Sequence, residues 1–428
     1  MLSVLWPKPI VRGTGYGAMT RVPEPRALLL ACFEAALAAV DGRTSVSRFL
    51  RAEPIGSAVH LVAIGKAAVP MAQGALDVLG AGIVDAIVVT KDAAGVSLPW
   101  PVREAGHPVP DLRSLEAGTA LRDFVRRLPR NAVVLVLLSG GASALVEQLP
   151  DGVSLDDLRR LTDWLLGSGL DIAAMNRIRK CVSRIKGGRL AEMLHPRPVH
   201  CLAISDVPGN EPGAIGSGPL VAAAGSEPEQ TALPDFVNRM LAHSTPLPSV
   251  GAPCFDAVHF KIIATLEDAK QAAARAARTR GAEAQVEPKF LEGDAAEAGT
   301  RLAQALLESR GGVVHVWGGE TTVRLPSRPG RGGRNQQLAL AAALELQGHR
   351  GAHLLAVGTD GTDGPTADAG ALVDGGTVAR AATHGLSAAE ALARADAGTF
   401  LEASGDLVNT GPTGTNVMDL VLGWRPHT

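Results

Sequence analysis

Four times along this chain a short, unbroken apolar run gives way to a polar turn that contains glycine. VVLVLL runs into SGGASAL (Ser139–Leu145), and VHCLAI runs into SDVPG (Ser205–Gly209). VVHVW runs into GGETT (Gly318–Thr322), and HLLAV runs into GTDGTDG (Gly358–Gly364). Strands of a parallel sheet buried on both faces read as such continuous apolar runs. Ligands in these sheets bind at the carboxyl ends of the strands. Four polar turns in that position predict one composite site, assembled from distant parts of the chain as in an enzyme. A chain of 428 residues also exceeds one ordinary core, so two domains are expected.

Composition excludes several alternatives. A formal net charge of −2 offers no general attraction to nucleic acid or to an anionic membrane. The 3% of aromatic residues are not interleaved with basic clusters, as a base-stacking surface requires. Cys32, Cys181, Cys201 and Cys254 lie far apart without metal-ligand spacing, and read as reduced thiols. No stretch is apolar enough to cross a bilayer, and MLSVLW is cut off by Pro7 before it forms a signal-peptide core. A cytoplasmic protein is expected, without nucleic-acid or membrane partners; a homo-oligomer is left open.

Residues 1–22 show no clear periodicity and read as an extension. A helix is expected from Arg26 to Val40, then a strand ending at Gly65 and Lys66, a helix, and a second strand in VDAIVVTKD. This alternation predicts a doubly wound α/β layer. Ser154 and Asp157 have capping-box spacing, and Gly167 suits the helix stop. The next helix places Ile178, Val182 and Ile185 on one side and Asn176, Arg179, Lys180 and Ser183 on the other. HSTPLPSVGAPC is the linker candidate, giving an N-terminal unit 23–242, a linker 243–256 and a C-terminal unit 257–424.

The chain has eight lysines against 33 arginines, and Lys66, Lys180 and Lys186 lie in or beside glycine-containing turns. A compact ammonium beside glycine amides suits phosphate, although Lys180 taken alone reads better as part of a solvated basic face. Ser139, Gly140, Gly141 and Ser143 are placed to present amides to an anion; the glycines also suit a tight turn with no ligand. Arg334 and Asn335 follow a second Gly-Gly pair at a helix start, where arginine can grip a carboxylate or phosphate. Asp206, Glu320, Asp360 and Asp363 stand just beyond strand ends, where hard oxygen ligands suit Mg²⁺ or one carboxylate takes a proton. Asp favours turns for local reasons too. His107 reads as a packed turn histidine. IGKAA lacks the upstream glycine and Ser/Thr of a Walker loop, and no GxGxxG opens a βαβ unit. These residues alone predict a two-domain α/β enzyme for an anionic, phosphorylated ligand with Mg²⁺.

Nine strings taken together resemble the type-2 glycerate kinase family, whose C-terminal part is the MOFRL domain. They are IGKAA, AGHPVPD, LLSGGASAL, NRIRKCVSRIKGGRLA, ISDVPGNEPGAIGSGP, GGETTV, GGRNQQLALA, GTDGTDGPTADAGALVDG and GDLVNTGPTGTNVMDL, in the family's order from about Arg26 to Gly423. The resemblance implies transfer of the ATP γ-phosphoryl group to the 2-hydroxyl of D-glycerate with Mg²⁺, giving 2-phosphoglycerate. It implies a cleft between a larger Rossmann-like domain and a smaller MOFRL-containing α/β domain. The family's cleft lysine and arginine map onto Lys66 and Arg334. We assign Lys66 to the transferred group and Arg334 to that group or the acceptor carboxylate, with Asp206 catalytic or at the metal. Asp206, Glu320, Asp360 and Asp363 are the expected metal ligands. Nucleotide and substrate contacts are expected from Ser139, Gly140, Gly141, Ser143, Asn176, Lys180, Lys186, Gly187, Gly188 and Asn335. The chain departs from the family at Cys181 and Val182, where His and Leu are usual, and at Asn210 and Glu211, where two aspartates are usual. Two rivals remain at this point: a hydroxypyruvate reductase using NAD(P)H, and a non-catalytic phospholigand binder.

Overall fold

The computed structural model describes residues 24–427 apart from 57, 94–96, 171 and 224–232. The expected extension, 1–22, lies outside them. Two six-stranded sheets organise the chain. The first contains β1 (Val59–Ile64), β2 (Ile83–Thr90), β3 (Val102–Glu104), β4 (Val133–Leu138), β5 (Val199–Ile204) and β6 (Val258–Ala264). Its order is β3-β2-β1-β4-β5-β6, parallel throughout. That is the doubly wound dinucleotide-fold order, in which the chain reverses direction of travel between β1 and β4. Alternate residues serve opposite faces. Leu61 and Ala63 enter one apolar cluster, and Val62 and Ile64 enter another.

The second sheet holds β7 (Glu283–Val286), β8 (Val313–Gly319), β9 (His353–Gly358), β10 (Gly370–Asp374), β11 (Leu407–Val408) and β12 (Asp419–Trp424), in the order β11-β10-β9-β12-β8-β7. Here the expectation of parallel neighbours needs correction. β8 and β9 run the same way but do not touch, because β12 lies between them antiparallel to both. Their carboxyl ends still share one edge. Asp419 at the start of β12 sits at that edge, opposite Gly319 of β8 and Gly358 of β9.

Val258–Ala264, placed by its sequence after the linker in the second unit, is the sixth strand of the first sheet. The helix Pro25–Val40 likewise serves both sheets: its Arg26 donates to Leu372 O at 2.9 Å and to Asp406 at 3.1 Å. One continuous apolar cluster joins that helix and the helix Leu266–Thr279 to a face of each sheet. A separate small cluster packs the helices Leu155–Gly167, Ile172–Cys181 and Asp235–Ala242 together as a helical lobe. The predicted capping box is present, with Ser154 at the N-cap and Asp157 answering it. Among the described residues no helix is long and apolar enough to cross a membrane.

Candidate active site

Gly65 and Lys66 follow β1, and Ser139 to Gly141 follow β4, so these two turns meet where the strand order reverses. Backbone bonds lace them together: Lys66 N donates to Gly140 O at 2.9 Å and Ser139 N to Ile64 O at 3.1 Å. Ser139 Oγ accepts from Ala67 N at 3.0 Å. A side chain on Gly65, whose φ is +131°, would collide with Ser139. Ser139, expected at the nucleotide, is therefore fully buried mortar between the two turns. Gly140 fits for a different reason. Its α-carbon faces Asp206, and a methyl there would drive into that carboxylate. The amides of Gly140, Gly141 and Ser143 have no acceptor among the described residues, and are free to meet an anion.

Lys66 reaches across to the second sheet and pairs with Asp360 at 2.7 Å, with both side chains under one-fifth exposed. Burial opposes the charge of Asp360, but Lys66 and the two hydrogen bonds from Thr362 together outweigh it and hold the carboxyl below its ordinary value. Asp206 lies close enough to feel both charges. Burial pushes its carboxyl above the usual range, Lys66 pulls it down, and Asp360 pushes it up again. Its side-chain partner is Asn416, whose Nδ2 donates at 3.2 Å. Glu320, with its side chain 43% exposed, completes the group: partial desolvation raises its carboxyl, while Arg334 lowers it and Asp419, Asp206 and Lys66 act across the space between.

Arg334 opens the helix Arg334–Leu346 and is held by two carboxylates. Its Nε and Nη2 grip Asp419 at 2.5 and 3.0 Å, and its Nη1 meets Glu320 at 3.0 Å. Asp363, expected at the metal, instead caps this helix: it accepts from Asn335 N at 3.0 Å, Asn335 Nδ2 at 3.3 Å and Gln336 N at 2.8 Å. Asn335, expected at a ligand, is buried in that same contact. Among the described residues no group of three or more His, Cys, Asp and Glu side chains is placed to hold a metal ion. Asp206, Glu320, Asp360 and Asp363 thus do not form one cage.

The basic segment also divides. Lys186 is buried against Glu147, which accepts from Ser183 Oγ at 2.6 Å, so its charge is already matched. Gly187 and Gly188 give their amides to Ser217 O and Gly218 O, at 3.1 and 2.8 Å, rather than to an anion. Both have positive φ, and a side chain on either would strike Leu247 or Phe255. Lys180 donates to Gly213 O at 2.8 Å. Asn176 lies half-buried on the helix Ile172–Cys181. Ser143 shares a 2.9 Å hydrogen bond with Ser217. Asn416 and Asp419, absent from the expected residues, stand beside Asp206 and Arg334.

A family model described as a domain of unknown function, DUF4147, matches residues 28–241, and the MOFRL family model matches 313–419. The chain is 38% identical over 384 residues to the D-glycerate 2-kinase of Thermotoga maritima, covering 85% of this chain and 90% of that one. The glycerate 2-kinase of Pyrococcus horikoshii is 36% identical, covering 85% and 86%. A protein of Agrobacterium vitis, provisionally named hydroxypyruvate reductase, is 37% identical, covering 84% and 97%. The crystal structure of glycerate kinase from Thermotoga maritima superposes with a TM-score of 0.81 at 36% identity, covering 94% of this chain and all of that one.

Proposed function

This chain belongs to the type-2 glycerate kinase family, and on that premise we propose how its cleft carries out the transfer of phosphate from ATP to D-glycerate. The substrate's 2-hydroxyl oxygen bonds to the γ-phosphorus as the bond from that phosphorus to the β–γ bridging oxygen breaks. ADP takes the bridging oxygen and its electron pair, and the hydroxyl proton leaves to a carboxylate. The products are ADP and 2-phosphoglycerate. Such a transfer asks a protein mainly to position two anions and neutralise the charge between them.

The observation that carries this reading is the meeting of Lys66, from the first sheet, with Asp360, from the second, beside Asp206 at the strand-order reversal. Lys66 exchanges Asp360 for the transferred phosphoryl group, and the amides of Gly140, Gly141 and Ser143 face the phosphate chain. Asp206 is the carboxylate that takes the proton or stands at the metal. Its one side-chain partner among the described residues is the neutral Asn416, which leaves lone pairs for Mg²⁺, an ion that commonly needs only one or two carboxylates beside phosphate. Bound Mg²⁺ would neutralise charge on the phosphate oxygens. Arg334, locked by Asp419 and Glu320, orients Glu320 toward the cleft and serves as a positioning residue. The reaction belongs in the cytoplasm, where its nucleotide substrate is supplied.

A reductase reading gains nothing from the β1 turn. IGKAA carries one glycine where a dinucleotide fingerprint needs three, and Lys66 occupies the approach to the helix Ala68–Leu79. The test is turnover of ATP, Mg²⁺ and D-glycerate coupled through enolase, pyruvate kinase and lactate dehydrogenase, without phosphoglycerate mutase. Glycerate-dependent NADH loss is the expected result. A signal only after mutase is added would move the transfer to the 3-hydroxyl. NADH loss with hydroxypyruvate and no ATP would replace the kinase by the reductase.

A further inference from the structure

Beside the Lys66 turn lies a cavity of about 210 Å³, walled by His107, Gly141, Ser143, Glu147, Arg179 and Lys186 among others. Sites for drug-sized ligands commonly span about 300–1,000 Å³, so this one suits a small acid rather than a nucleotide. Gly141 is the wall it shares with the phosphoryl site. A side chain begun there would lie 3.0 Å from the His107 ring on one side and 3.2 Å from the Lys66 stem on the other.

The cations around the cleft differ in what they already hold. Lys66 has Asp360, Lys186 has Glu147, and Arg334 has Asp419 and Glu320. Lys180 is occupied by the Gly213 carbonyl. Arg179 differs from these four: it lines the cavity half-buried, with no hydrogen-bond or ion-pair partner among the described residues. Burial pulls its pKa down and no carboxylate pushes it back. Partial desolvation of a guanidinium without an anion is unfavourable, and its two parallel N–H groups fit a carboxylate fork. Because Glu147 and Lys186 cancel, the charged lining sums to a single positive charge, matching a monocarboxylate.

We propose that this cavity is the acceptor subsite and that Arg179 receives the carboxylate of the three-carbon acid. The assignment rests on the kinase reading above and takes from Arg334 the carboxylate role that the sequence offered it. His107, whose pKa burial and then Lys66 and Lys91 push down to about 4, is neutral at pH 7 and hydrogen-bonds the acceptor without adding charge. The small helical lobe that carries Arg179 is then the part of the chain that distinguishes acids from uncharged alcohols.

Arg179→Gln and Arg179→Lys test this, with steady-state constants for D-glycerate and ATP measured separately and glycerol as an acceptor that lacks the carboxylate. Loss of a charge-assisted pair worth ~1.5–3 kcal/mol raises KM for D-glycerate on the order of 10- to 100-fold in Arg179→Gln. KM for ATP and any use of glycerol stay at wild-type values, and Arg179→Lys recovers part of the loss. Thr162→Phe, which fills the same cavity from the helical lobe while keeping Arg179 in the sequence, gives the same split and covers failure of the first variant to fold. A rise in KM for ATP alone makes the cavity a nucleotide subsite and overturns the proposal, as does an unchanged KM for D-glycerate in both Arg179→Gln and Thr162→Phe. Wild-type protein without glycerate-dependent turnover sinks the kinase reading itself, a different result from an active wild type with an indifferent Arg179.

Discussion

Two aspartates a short distance apart carry opposite relations between stability and function. Asp206 has a folded-state pKa raised by burial, so the folded protein binds its proton more tightly than the unfolded chain. Its contribution to stability is full below the unfolded value of about 3.9 and is lost as pH rises through the folded value. Asp360 is held below its ordinary value, where Lys66 and the Thr362 hydrogen bonds together outweigh burial. Its contribution is present above the unfolded value and is lost as pH falls through the folded one. At pH 7, Asp206→Asn is therefore expected to raise the melting temperature while removing most of kcat, and Asp360→Asn to lower it. Thermal melts of both variants beside the wild type check the signs. A lower melting point for Asp206→Asn would mean that its attraction to the nearby Lys66 outweighs the cost of burying its charge. The acid limb of kcat/KM, which reports the free enzyme, should also lie above the ordinary aspartate range, since protonated Asp206 can neither take a proton nor hold a metal.

At the next scale, the helix Arg334–Leu346 shows how an element sets a site. Its N-cap is Gly333, which offers no side chain, and Asp363 supplies the missing acceptor from another loop. Asp363→Ala leaves two buried amides unpaired and is expected to cost about 1–2 kcal/mol. The check is a lower melting temperature together with faster hydrogen exchange at Asn335 and Gln336. Loss of activity should follow, because Arg334 is the first residue of the loosened turn. Much of this edge could be read from sequence. Strands β4, β5, β8 and β9 are continuous apolar runs, and each polar turn after them lies where a parallel strand would put it. Two things could not be read. Whether a carboxylate caps a helix or faces a ligand depends on neighbours dozens of residues away, which is why Asp363 looked like a metal ligand. Asn416 precedes its strand and Asp419 opens it, where the other site residues follow theirs, and only its antiparallel insertion brings them to the same edge. A rule built on turns after parallel strands passes over them.

At the scale of the whole molecule, the two sheets are not independent bodies. The cluster containing Leu61 and Leu137 of the first sheet also contains Val316, Leu355 and Leu420 of the second, with Leu28 and Ala273 of the intervening helices. Rupture of either sheet exposes apolar surface of the other. Calorimetry is expected to give a single transition with matching calorimetric and van't Hoff enthalpies, although a chain of this length ordinarily unfolds in stages. Two resolved transitions would show that the shared cluster is too weak to couple the sheets. The place of β12 carries this coupling into the life of the chain. It follows every other described strand in sequence yet fills the middle of the second sheet, between β8 and β9. On the ribosome that sheet has a slot at its centre until Asp419–Trp424 emerges, and Arg334 waits for its bidentate partner until the same moment. Nascent chains halted before that strand would lack both a closed second core and an anchored cleft arginine, so unfinished copies are inert and open to proteolysis by one and the same defect.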